Sequence, residues 1–190
     1  MSRLPPTQPQ SDPALAEVHA EIVQTRGFVS NALGAIGHAP EGLKHLARLG
    51  AYVKYQTALP ERMREFSILC SARGVPYAWQ HHSVLALQAG IAQSAIDDVG
   101  AGRIPTALPP AEQAIARYIA ELFAPPYVSD ATQAEMAKHY TPRQITDVAL
   151  SATYYRALGT MVMAFRVELE SDEVLGQEKA WQKAHVESQK

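Results

Sequence analysis

Two helices in immediate succession are predicted for the stretch Leu59 to Gly90, which reads LPERMREFSILCSARGVPYAWQHHSVLALQAG. Pro60 opens the first helix, where a missing N–H costs nothing, and Gly74 closes it. Pro76 and Gly90 mark the start and the end of the second helix in the same way. A loop this short allows the two helices to pack as a hairpin, and the rest of the chain is expected to be arranged around it.

Polar residues stand on the apolar faces of this hairpin. Glu65 shares its face of the first helix with Ile68, Leu69 and Ala72. His82 lies on one stripe of the second helix with Trp79, Ala86 and Ala89. We expect Glu65 and a histidine to meet in the seam, with the pKa of Glu65 raised by burial, as proton-transfer chemistry requires. The alternative is a solvated glutamate and a histidine whose role in the core is purely structural.

The runs RMREFSILC and YAWQHH, followed by the segment to Gly90, resemble the carboxymuconolactone decarboxylase family. More broadly, they are similar to the alkylhydroperoxidase D-like superfamily, and the resemblance extends over residues 28–169. It implies that Glu65 and His82 are the catalytic acid/base pair, with Tyr77 as a further catalytic donor. It also implies that no cofactor is used and that the chain forms a homo-oligomer, usually a trimer or a hexamer. Trp79 is expected to shape the substrate pocket, and His81 is a further candidate for substrate binding.

The chain has one cysteine, Cys70, on an apolar part of the first helix. The peroxidase branch of the superfamily carries Cys-x-x-Cys followed by a histidine four residues later. Counted back from His82, those two positions hold Val75 and Ala78. A dithiol peroxidase is therefore excluded within a single chain, and Cys70 is expected to be a small buried hydrophobe.

The remaining helices are read from their caps and apolar periodicity. They are predicted over 13–26, 94–99, 111–123, 130–139 and 142–168, and a further helix is predicted to start at Pro40. Ser94 is the predicted cap of the helix over 94–99. Thr141, Pro142 and Gln144 form a capping-box signature for the longest of them. No alternation of period two is sustained. We predict an all-α, single-domain helical bundle over 14–170, after a flexible arm over 1–13. A charged tail over 171–190 carries Trp181, which could dock on a subunit, and His185.

Composition excludes several classes of partner. The net charge is −2 and the estimated pI is about 6.4, so neither nucleic acid nor an anionic membrane surface is indicated. The chain has no signal-peptide pattern and no run near the ~20 apolar residues of a membrane span, so a cytoplasmic protein is expected. His81 and His82 point about 100° apart on a helix and are poorly placed to ligate one metal ion together.

The family resemblance implies a carboxy-lyase. The expected function is cofactor-free decarboxylation of a carboxymuconolactone-like lactone or unsaturated acid through Glu/His proton transfer. Two alternatives stay open: another proton-transfer enzyme, such as an isomerase or a hydrolase, on the same scaffold, and a non-catalytic helical binding module. Tyr154, Tyr155 and Arg156 on the long helix could bind a substrate carboxylate, since an arginine can form two parallel hydrogen bonds with it. The alternative is that Tyr155 packs in the core and Arg156 is solvated.

Overall fold

The computed structural model describes residues 2–188, which are helical with no β-strand in that range. A short 3-10 turn, Pro9–Ser11, comes first. The α-helices are α1 Pro13–Arg26, α2 Asn31–Gly34, α3 Pro40–Tyr55, α4 Glu61–Ala72, α5 Pro76–Gln88, α6 Gln93–Gly100, α7 Pro110–Leu122, α8 Asp130–His139, α9 Pro142–Phe165 and α10 Asp172–Ser188. The prediction of an all-α fold is confirmed.

The α4–α5 hairpin forms as the proline and glycine signals at its helix ends predict. Gly74 has a φ of 80°, a left-handed conformation that favours glycine, and it reverses the chain between the two helices. Pro76 occupies the first turn of α5. Pro60 lies one position outside α4, as its N-cap, and not at the first helical position. Eight of the twelve residues of α4 are buried, which agrees with the nearly continuous apolar run from Phe66 to Ala72.

The chain divides into two compact units, and residues 53–159 form one of them. Within this unit α4 packs against α5, α6 and α7, and α7 packs against α8. Its apolar core contains Phe66, Leu69, Ile91, Ile115, Met136 and Val148. The predicted capping box is confirmed: Gln144 N donates to Thr141 Oγ1 at 3.3 Å, and Thr141 N donates to Gln144 Oε1 at 3.0 Å.

The other unit combines the described residues of 1–52 with those of 160–190. Its separate core comprises Leu15, Val18, Ile22, Leu33, Leu43 and Ala47. Residues from the two ends of the chain meet here, since Asn31 N donates to Glu170 Oε1 at 2.6 Å. The ring of Trp181 lies against Gly27, where a Cβ would meet its Cδ1 at 2.5 Å. Trp181 thus packs within its own unit.

Residues of the predicted N-terminal arm form hydrogen bonds with later parts of the chain. Arg3 N donates to Phe165 O at 2.8 Å, and Thr7 Oγ1 donates to Gly34 O at 3.2 Å. The division into arm, single domain and tail stays a prediction, and the side chain of His185, with residues 1, 189 and 190, lies outside the described structure. Among the described residues, no helix has the length and apolar character needed to cross a bilayer.

Candidate active site

A buried cluster of three charged or titratable side chains lies in the unit formed by residues 53–159. Glu65 is 1% exposed and has a polar partner on each carboxylate oxygen. Lys54 Nζ donates to its Oε1 at 2.7 Å, and His82 Nδ1 lies 3.4 Å from its Oε2. Lys54 and His82 are also buried. The sequence-based expectation that Glu65 and a histidine meet in the hairpin seam is confirmed.

Each of the three side chains comes from a different helix. Lys54 stands in the last turn of α3, Glu65 in the second turn of α4, and His82 in the middle of α5. The helical hairpin brings Glu65 and His82 together, since α4 and α5 are joined by a short loop. Lys54 lies beside Glu65 because α3 ends just before α4 begins, with only residues 56–60 between the two helices.

The ionisation state of Glu65 differs from the sequence-based expectation. Burial favours the neutral acid and would raise the pKa, but the charge of Lys54 and the hydrogen bond with His82 together outweigh burial. The pKa of Glu65 is consequently lowered from 4.5 to about 2. The prediction of a raised pKa was wrong, because it did not include a lysine from a third helix. Glu65 is therefore a carboxylate at neutral pH, which accepts hydrogen bonds and does not supply a proton.

Aromatic rings surround the histidines of α5. The ring of Tyr155, on α9, meets His82 edge-on with 4.7 Å between centroids, and Tyr154 lies 5.2 Å from Tyr155. Tyr77 lies 5.0 Å from His81 one turn along α5, and both are buried. Helix α9 comes this close because Gly159, one turn after Tyr155, has no side chain: a Cβ there would lie 2.9 Å from Val75 Cγ2.

The other predicted site residues occupy distinct places. Trp79 packs on the apolar core, with its ring over Gly100 at the end of α6, where a Cβ would meet Cζ2 at 3.1 Å. Tyr77 and His81 contact each other. Roles in catalysis or substrate binding for Glu65, His82, Tyr77, Trp79 and His81 stay predictions, since contacts alone assign no role.

The thiol of Cys70 has the properties of a structural cysteine. Its burial raises the pKa well above the ordinary value, despite the nearby positive charge of Arg73. The thiolate is the nucleophilic form, so this thiol is poorly suited to attack a substrate or a peroxide. Within residues 2–188, no group of three or more His, Cys, Asp or Glu side chains is arranged to hold a metal ion.

Lys54 is the member of the cluster that the sequence analysis missed. A signal for it exists in the helical register of α3, where Leu43, Ala47 and Ala51 are buried on one face. Lys54 continues this face three residues after Ala51 and seven after Ala47. A lysine on such a stripe requires a buried anionic partner, and Glu65 is the one that it finds.

The fold is that of the AhpD-like proteins. A crystal structure of an alkylhydroperoxidase AhpD core, an uncharacterised peroxidase-related protein from Ralstonia eutropha JMP134, superposes with a TM-score of 0.75. The sequences are 17% identical, and the match covers 92% of this chain and 94% of that one. At this identity the likeness concerns the fold alone.

Two further solved structures share this architecture. One is a cysteine-to-alanine variant of the debrominase Bmp8 in complex with 2,3,4-tribromopyrrole. It superposes with a TM-score of 0.72 at 17% identity, and the match covers 97% of this chain and all of that one. The other, a putative antioxidant defence protein AhpD of unknown function from Agrobacterium tumefaciens, has a TM-score of 0.61 and 14% identity over 71% of this chain and 94% of its own. No family model and no curated protein matches the sequence.

Proposed function

We propose that this protein is a cofactor-free proton-transfer enzyme of the carboxymuconolactone decarboxylase type. Its substrate would be a small carboxylated lactone or a related unsaturated acid. The observation that carries the proposal is the contact of His82 Nδ1 with a buried glutamate whose other oxygen is fixed by Lys54. A histidine held in this way has a defined orientation, with Nδ1 towards the carboxylate, which is the arrangement that general acid–base chemistry uses.

The reaction assigns different roles to His82 and Glu65. Loss of CO2 breaks a C–C bond and leaves an electron pair that spreads through the unsaturation towards a carbonyl oxygen. The carbon must then take up a proton, which His82 would deliver from Nε2 and recover from solvent. Glu65 is ionised and accepts only, so it would hold the hydrogen on Nδ1 and stabilise the charged imidazolium.

Lys54 would act on the reaction through Glu65. Its ammonium group holds one carboxylate oxygen at 2.7 Å, which leaves the second oxygen for His82. It also keeps Glu65 ionised in an environment that otherwise favours the neutral acid. We therefore assign Lys54 and Glu65 as positioning residues and His82 as the residue that exchanges the proton.

Thiol chemistry is a weaker proposal for this chain. One structural neighbour is described as peroxidase-related and another as a debrominase. Here Val75 and Ala78 stand where the resemblance places the cysteines of the peroxidase branch, and the thiol of Cys70 is held in its protonated form. These features favour proton transfer over thiol-dependent reduction.

The experiment is turnover of γ-carboxymuconolactone, followed as release of CO2 and formation of the enol-lactone. We expect His82→Gln to lower the rate by about a hundredfold or more, the range for loss of general acid catalysis. Glu65→Gln should also lower it strongly, because it removes the acceptor for Nδ1. His45→Gln is a matched control, since His45 pairs with Glu41 at 3.1 Å on the exposed surface of α3.

The controls separate the proposal from its alternatives. Wild-type turnover by folded His82→Gln would contradict the role of His82. Conversion of an unsaturated acid without CO2 release would identify an isomerase or a hydrolase on the same scaffold. If the wild type converts none of these compounds, the decarboxylase proposal fails and a binding module is the better description.

A further inference from the structure

A cavity lies in the unit formed by residues 53–159, beside α7 and the loop after α6. Its volume is about 180 Å³. The apolar part of its wall comes from Val99, Ile104, Ala116, Ile119 and Phe123. Cys70 and Ser71 also line it, and they follow Glu65 by five and six residues on α4. At about 100° per residue, Cys70 points some 140° away from Glu65, so the cavity opens on another side of α4.

Three arginines line this cavity together with the apolar wall: Arg73 after α4, Arg103 in the loop after α6, and Arg156 on α9. No aspartate or glutamate is among the described residues that line it. Three guanidinium groups beside an apolar wall, of which that of Arg103 is paired with Asp98, leave a net positive charge that favours an anion with an apolar body.

Contacts with the surrounding chain hold each guanidinium in place. Arg103 donates to Asp98 Oδ1 from Nε at 2.9 Å and from Nη2 at 2.7 Å. The guanidinium carbon of Arg156 lies 5.3 Å from the centre of the Phe123 ring. These contacts reduce the side-chain freedom that a ligand would otherwise have to restrict on binding.

The position of the Arg73 guanidinium requires that residue 102 has no side chain. Gly102 has a φ of 76°, and a Cβ at this position would meet Arg73 Nη1 at 2.7 Å. A side chain on residue 102 would therefore be strained by its backbone conformation and would also displace the guanidinium. The loop is fixed by Arg103 N, which donates to Asp98 O at 2.8 Å.

We propose that this cavity is a binding site for a small cyclic carboxylate, separate from the Glu65–His82 cluster. A cavity of about 150 Å³ in an apolar core accommodates benzene, so 180 Å³ is sufficient for one six-membered ring. The ring would pack on Ile119 and Phe123, and the carboxylate would face the arginines. A planar guanidinium can bind both carboxylate oxygens through parallel hydrogen bonds, which gives the site its selectivity for charge.

Titration calorimetry with benzoate at low ionic strength tests the proposal. We expect saturable binding of one benzoate per chain, weakened about tenfold or more by Arg73→Gln and by Arg156→Gln, because each change removes a charge-assisted contact. Both arginines are exposed, so the variants should fold. Benzamide, which has the same ring without the charge, should not bind measurably.

Two control variants locate the bound benzoate. Arg117→Gln removes an exposed arginine of α7 that does not line the cavity, and it should leave the affinity unchanged. His82→Gln should also leave it unchanged, whether or not the proposed decarboxylation is correct. The proposal is overturned if the wild type does not bind benzoate, or if benzamide binds equally well. It is likewise overturned if His82→Gln abolishes binding while Arg73→Gln and Arg156→Gln do not.

Discussion

At the scale of single residues, the ion pair between Lys54 and Glu65 determines the chemistry of the cluster. Both side chains are almost completely removed from water, with 3% and 1% of their side-chain surface exposed. Desolvation of two charges is expensive, and their attraction compensates for it only when the geometry is good. The short contact, together with His82 on the second oxygen, meets that condition and keeps the carboxylate ionised.

We expect Lys54→Met to lower the free energy of unfolding by about 3 kcal/mol or more, since it leaves a buried carboxylate without its main counter-charge. The double variant Lys54→Met/Glu65→Gln should be more stable than Lys54→Met alone, because the unpaired charge is gone. Urea denaturation of the wild type, both single variants and the double variant measures the coupling. Additive effects of the two changes would show that the pair does not stabilise the fold.

The sequence predicted two of the three members of this cluster. Glu65 and His82 could be paired in advance because both lie on a hairpin whose turn is marked by local signals at Gly74 and Pro76. Lys54 could not be paired in the same way, since its helix precedes the hairpin and its approach depends on packing. The direction of the pKa shift of Glu65 depended on that one contact, and for this reason it was predicted with the wrong sign.

At the scale of helices, local capping signals predicted boundaries where a side chain satisfies the backbone. Thr141 and Gln144 cap α9 reciprocally, and Ser129 Oγ accepts from Thr132 N at the start of α8. The prediction of Ser94 as the cap of α6 was wrong, because that helix already begins at Gln93. Gln93 Nε2 donates to Asp97 Oδ1 at 2.7 Å, an interaction one turn apart that stabilises the earlier start.

Thr141→Ala tests the contribution of the capping box to α9. We expect the free energy of unfolding to fall by about 1 kcal/mol, since one orphan N–H of the first turn loses its acceptor. Thr153→Ala is the matched control: Thr153 is exposed in the middle of the same helix, and its hydroxyl donates to Ala149 O. Thermal or urea denaturation compares the two variants, and equal effects would contradict a specific role for the cap.

At the scale of the whole molecule, the contacts group the chain into two compact units, and the division into arm, single domain and tail stays a prediction. The unit that contains α1 also contains residues from the end of the chain, such as Glu170, which hydrogen bonds to Asn31. Contacts across this sequence separation leave no local signal. Periodicity therefore predicted the helices but could not predict their grouping.

The chain is expected to assemble as a trimer or a hexamer, as the family resemblance implies. Several large apolar side chains are substantially exposed among the described residues: Val23, Leu49, Leu87, Tyr127, Met163 and Leu169. Light scattering on the purified protein should give three or six times the chain mass of 20.7 kDa. A monomer at micromolar concentration would contradict this expectation.

We conclude that Glu65 is a buried carboxylate fixed between Lys54 and His82. Infrared difference spectra of the wild type against Glu65→Gln test it most directly, because a carboxylate and a protonated carboxyl absorb at separate frequencies. Only carboxylate bands should be lost in the variant at neutral pH, and the C=O band of a protonated Glu65 should appear only as the pH falls towards about 2. A protonated-carboxyl band at neutral pH that disappears in Glu65→Gln would contradict the account.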